Sequence, residues 1–222
     1  SLQFTMSRIK YSLPVIGMIL LPMVLIIFQR ETGSALVYLS FFLMLYREGM
    51  PGSILFTGIC AVVWFVVGIR FSREMMPDEC TPVGEFAVLS LITLLAAVLV
   101  WVYCRKREEV RLILIYGIGG IVLAQLFSIY VIPFNVVYFL YLVCALLVVR
   151  LIYMSMKERL MSYFYIALFA VGSVCFLHSA DYVFSEVLQP HQRVRIEVLL
   201  GMEEDLAGAG YNVNQSKIAI GS

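Results

Sequence analysis

Two arginines, Arg193 and Arg195, lie two residues apart and about ten residues ahead of an acidic triplet, Glu203-Glu204-Asp205. A planar guanidinium donates in a fork that suits phosphate or pyrophosphate. A carboxylate close to such a site can take the proton from an attacking hydroxyl group. The same residues also fit a solvated loop whose charges pair locally, and composition alone does not choose between the two. Glu31, in the run QRETGSA beside Arg30, is the second candidate, because an ionisable group at the end of an apolar span is a functional candidate by default. Its alternative is an interfacial turn in which Thr32 or Ser34 caps the next helix. No Ser-His-Asp arrangement, phosphate-binding glycine loop or zinc signature occurs in the sequence. The five cysteines show no CxxC spacing, and their odd number argues against a disulfide framework.

These polar groups belong to a chain that is otherwise apolar. Of 222 residues 62% are hydrophobic and only 14% charged, with a mean hydropathy of +0.94. A water-soluble domain is nearer half apolar and a quarter charged. The class expected is all-α, a polytopic helical membrane protein. Hydropathy marks seven spans, at about 11–29, 34–46, 52–70, 83–104, 112–132, 134–152 and 160–178. The net charge of +1 and the lack of any long Lys/Arg run exclude a nucleic-acid surface.

The loops carry an orientation signal. Ten of the sixteen basic residues fall on one face of the seven-span arrangement, with RKREEVR at 105–111 as the strongest cluster, and eleven of the fifteen acids fall on the other. Basic loops stay cytoplasmic, so the N-terminus is expected inside and the polar segment after the last span outside. The domain division expected is a membrane bundle over 1–178 followed by an extracytoplasmic loop over 179–222. In that loop VRIEVLL suits either a short strand or an interfacial helix, and periodicity does not choose. GAGYN suits a turn that needs positive φ.

The run HQRVRIEVLL, followed by DLAGAGYNVNQSKIAIGS, resembles the SEDS family of cell-shape, division and sporulation proteins, which carry a QRxR element, an acidic segment and GxGYxxxQSxIAIGS in a large external loop. QRETGSALVYL resembles the family's QPDLGTALxxL at the end of a span. GAGYN and QSKIAIGS look closest to the rod-shape, elongation-specific branch. The resemblance implies a peptidoglycan glycosyltransferase of the bacterial cytoplasmic membrane. Such an enzyme polymerises lipid II, an undecaprenyl-pyrophosphate-linked disaccharide peptide, beside a class B penicillin-binding protein. On that resemblance Asp205 falls on the family's essential aspartate, expected to be the general base. Arg193 and Arg195 fall on its arginines, facing the pyrophosphate. Glu31 falls where the family usually has Asp, and Tyr211, Gln215 and Lys217 match positions expected to shape the cavity or contact substrate.

A divalent cation, Mg or Mn, is an admissible helper for a departing pyrophosphate, though no residue set here demands one. The interval between the two matching blocks is longer than the family pattern, which implies an extra helical pair within 83–152. The family's earlier helices and the continuation after IAIGS are missing, so the chain is expected to be a fragment and inactive by itself. Two other functions stay open: a flippase for lipid-linked precursors, and a non-catalytic scaffold for a penicillin-binding protein. An O-antigen ligase or polymerase is disfavoured by QSKIAIGS.

Overall fold

The computed structural model describes residues 9–28, 40–41, 43–188 and 190–202. Among these the regular structure is helical, α-helix with three π turns, apart from one isolated bridge between Met75 and Pro82. It forms two compact units, 1–62 and 63–222.

In the first unit α1 runs Ile9–Phe28, close to the expected 11–29, and contains Pro14 and Pro22. Helical backbone at 43–47 ends in a turn where Gly49 takes φ 100°, a conformation that other residues adopt at a cost. The Met50 N–H then donates to Leu45 O at 3.0 Å, and Pro51 leads into α2, Gly52–Arg70. Most of the expected span at 34–46 and the turn at 30–33 lie outside the described residues.

The second unit holds the end of α2 and then α3 (Val83–Cys104), α4 (Arg107–Tyr130), α5 (Val137–Glu158), α6 (Met161–Val187) and the short α7 (Pro190–Leu199). The five helices α2 to α6 are each long and apolar enough to cross a membrane. An all-α polytopic membrane protein is what the composition led us to expect. The last span is longer than the expected 160–178, because the helix continues through a π turn at Val183–Val187. Two further π turns, Val100–Cys104 and Ile113–Gly119, interrupt α3 and α4. Such turns insert an extra residue and redirect side chains.

The helix α3 is the centre of this unit and packs against α5 and α6, which also pack on each other. Its buried face carries Val88, Leu89, Ile92, Thr93, Ala96, Ala97 and Val100. The faces of α5 and α6 that meet it carry Leu140, Cys144, Leu147 and Leu151, and Tyr163, Ala167, Ala170 and Ser173. Lipid is as apolar as leucine, so greater hydrophobicity does not mark the inner faces; Ala96, Ala97, Ala167, Ala170 and Ser173 let the helices approach closely between the buried Leu89, Ile92, Leu140, Leu151 and Tyr163. Leu94, Leu142, Val149, Tyr165 and Leu168, of the same types, are exposed on the outer faces.

Candidate functional site

Successive helices reverse direction, so the α2–α3 loop, the α4–α5 turn and α7 gather at one end of the second unit. The α2–α3 loop is folded onto itself. The Met76 N–H donates to Thr81 O at 2.9 Å and the Val83 N–H to Glu74 O at 3.0 Å. Asp78 is its hub and is buried. One carboxylate oxygen accepts from the backbone N–H groups of Cys80, 3.2 Å, and Thr81, 3.1 Å. The other accepts from Thr81 Oγ1 at 2.7 Å and Gln125 Nε2 at 3.2 Å, and lies 2.8 Å from Ser128 Oγ. The last two residues are on α4, so one carboxylate ties the loop to a helix about fifty residues later in the chain. Thr81 Oγ1 also accepts from the Val136 N–H at 3.1 Å, which secures the α4–α5 turn. Burial pushes the Asp78 carboxyl upward, but hydrogen bonds from Thr81, Ser128 and the Cys80 and Thr81 N–H groups outweigh it and hold the pKa at about 2 against an ordinary 3.8.

The polar helix α7 is tethered to this loop. Glu197, with only 6% of its side chain exposed, accepts from Arg73 Nη2 at 2.6 Å, while Arg73 is 59% exposed. Helical spacing puts Arg193 on the same side of α7 as Glu197. Its Nε–H donates to Leu188 O at 3.0 Å, which closes the turn between α6 and α7. The backbone of Pro190–Leu199 is helical. The segment that suited strand or helix equally is therefore helix, opened by Pro190, whose fixed φ is compatible with a first helical turn.

Beside this end, α2, α3 and α6 enclose a cavity of about 100 Å³. Glu85, His178 and Asp181 line it together with Trp64, Gly68 and Ser72. The His178 ring stacks on Tyr141, with centroids 5.3 Å apart and planes 23° from parallel. Among the described residues Trp64 Nε1 is sealed from solvent with no hydrogen-bond partner, and the buried Tyr141 hydroxyl faces Glu85. Two carboxylates and an imidazole on one small cavity make an acceptor-rich corner suited to a cationic or hydroxyl-bearing group. None of Glu85, His178 and Asp181 was singled out from the sequence. The signal that could have found the cluster is the presence of Glu85, His178 and Asp181 within helical turns at the ends of apolar spans.

Of the residues singled out from the sequence, Arg193 and Arg195 lie on α7 at this end of the bundle. Asp205, Tyr211, Gln215, Lys217 and Glu31 lie outside the described residues, as does GAGYN. Among the described residues no three His, Cys, Asp or Glu side chains are grouped so as to hold a metal ion.

No family model matches the chain, and no solved structure matches it. Over 206 residues, 91% of its length, the chain is 29% identical to the peptidoglycan glycosyltransferase RodA of Treponema pallidum. It is thus similar to that enzyme along nearly its whole extent, while spanning 37% of the length of this curated relative.

Proposed function

We propose that the chain is part of a SEDS-type peptidoglycan glycosyltransferase of the rod-shape branch, working at the outer surface of a bacterial cytoplasmic membrane. The observation that carries this reading is the 29% identity to RodA over 91% of the chain, together with the QRVR and GAGYNVNQSKIAIGS blocks. The chain spans only part of RodA, so the activity belongs to a longer protein in which this segment supplies a bundle end and the start of the external loop.

Lipid II carries a pyrophosphate leaving group, and the acceptor strand attacks through a sugar 4-hydroxyl. Transfer therefore needs a base for the hydroxyl and positive charge for the departing diphosphate. In our reading Asp205 is the base and Arg193 and Arg195 meet the diphosphate. Glu31, Tyr211, Gln215 and Lys217 shape or contact the substrate, and a class B penicillin-binding protein crosslinks the product. The Arg73–Glu197 tether supports the arginine role, because it fixes α7 against the α2–α3 loop and so fixes where Arg193 begins. The basic cluster at 105–111 supports an orientation with the Asp78 end outside.

The test is polymerisation of labelled lipid II by the longer protein with its transpeptidase partner, wild type beside Arg193→Gln. A fall of ten-fold or more in strand formation, with partner binding intact, is expected. Unchanged strand formation would remove Arg193 from the diphosphate site, and its absence from both proteins would favour a scaffold.

A further inference from the structure

At the opposite end of the second unit, α4 and α5 present two facing stripes. Glu109, Leu112, Ile113, Tyr116 and Gly117 follow helical spacing on α4, and Val143, Leu146, Leu147 and Arg150 do so on α5. Together they line an apolar groove of about 290 Å³. It runs from residue 109 to residue 117, about 12 Å at the helical rise. Gly117 sits tight against Thr93 of α3, where a Cβ would meet its Cγ2 at 3.1 Å, so it floors the groove without filling it, and the π turn at Ile113–Gly119 redirects its neighbours. At its polar end Arg150 clasps Glu109 in a fork, Nη2 to Oε1 2.8 Å and Nε to Oε2 3.1 Å. Lys157 continues the Arg150 stripe seven residues on, two turns nearer the end of the helix.

We propose that this groove holds one acyl chain of an anionic diacyl phospholipid, with its phosphate met by Arg150, Lys157 and Arg107. Three observations select that occupant. The walls are aliphatic and aromatic and lie on the membrane-facing side of two spanning helices, so the tail must be hydrocarbon. The helix ends around it carry seven basic residues, Arg105, Lys106, Arg107, Arg111, Arg150, Lys157 and Arg159, against Glu108, Glu109 and Glu158. Only Lys106, Arg111 and Arg150 of these have acidic partners among the described residues, at 3.0, 3.5 and 2.8 Å. Arg107 and Lys157 are exposed, with no acidic partner among those residues, and basic pockets between spanning helices are recognised sites for anionic headgroups. A zwitterionic lipid would fill the groove equally well but bring no net charge for these cations. The site is independent of the glycan chemistry and lies at the far end of the helices from Asp78 and α7.

The experiment is native mass spectrometry of the delipidated full chain, titrated with phosphatidylglycerol or phosphatidylcholine of identical acyl chains. Wild type is expected to retain phosphatidylglycerol at least fivefold better. Arg107→Gln with Lys157→Gln should bring retention of phosphatidylglycerol down to about that of phosphatidylcholine. Leu146→Trp, at a side chain 60% exposed, fills the groove and should abolish retention of both lipids. Leu168→Trp, on the outward face of α6, should change nothing. Equal retention of the two lipids by wild type would overturn the proposal. So would full phosphatidylglycerol retention by Leu146→Trp, or equal losses in Leu146→Trp and Leu168→Trp, which would describe a non-specific lipid annulus.

Discussion

Asp78→Asn is the substitution with the clearest expected magnitude. The carboxylate is buried and gathers hydrogen bonds from Cys80, Thr81, Gln125 and Ser128. Its pKa of about 2, against 3.8, means that the folded unit holds the ionised form more tightly than the unfolded chain does. At 1.36 kcal/mol per pKa unit this is worth about 2 kcal/mol. The sign follows from the depressed value. The stabilisation is complete above pH 4 and fades as the pH falls from 4 toward 2, where the carboxyl is protonated in both states. Asparagine keeps the shape but not the charge, so Asp78→Asn should cost about 2 kcal/mol at neutral pH and much less at pH 2. Asp78→Ala strands several buried donors and should cost more, about 3–5 kcal/mol. Unfolding in mixed detergent micelles, followed by helicity and by fluorescence from buried Trp64, reads both. An Asp78→Asn protein as stable as wild type at pH 7, with the same acid dependence, would refute the reasoning.

Two pairs of substitutions test the packing and the tether of this end. A Cβ at Gly84 would meet Gly68 O at 2.6 Å and the Phe71 carbonyl carbon at 3.2 Å, so Gly84→Ala should lower stability by about 1–3 kcal/mol in the same assay, whereas Gly58→Ala, with nothing within 4 Å, should be neutral or slightly stabilising. Removing Arg73 leaves the buried Glu197 carboxylate without this cation, while removing Glu197 leaves an arginine that water already reaches. Arg73→Met should therefore cost about 1–3 kcal/mol and Glu197→Gln less than about 1, and both should speed amide exchange in α7; equal costs would contradict the asymmetry.

What could be read from the sequence differs by element. Spans 52–70 and 83–104 match the observed helices closely, because charged or proline-containing loops bound them on both sides. The inner faces were not legible. Helices such as α3 and α6 are apolar all round, so amphipathic periodicity vanishes, and only residues such as Ala96, Ala167 and Ser173 hint at the contact surface. The Asp78 hub and the Arg73–Glu197 tether join residues 50 and 124 positions apart, which no local pattern encodes. The form of α7 was open for a different reason. VRIEVLL is rich in β-branched residues, yet the Pro190 start and the tether of Glu197 at the bundle end accompany a helix. Arg193 could be named from its motif alone, but its partners Leu188 O and the neighbouring Glu197 side belong to the fold.

In the function we propose, this segment belongs to a polymerase whose base is Asp205. The most direct test is strand formation from labelled lipid II by the longer protein with its penicillin-binding partner, comparing wild type with Asp205→Asn at equal expression and partner binding. The account predicts glycan strands from wild type and none from the variant. Strands from both proteins would contradict the assignment of the base, and strands from neither would contradict the enzyme itself.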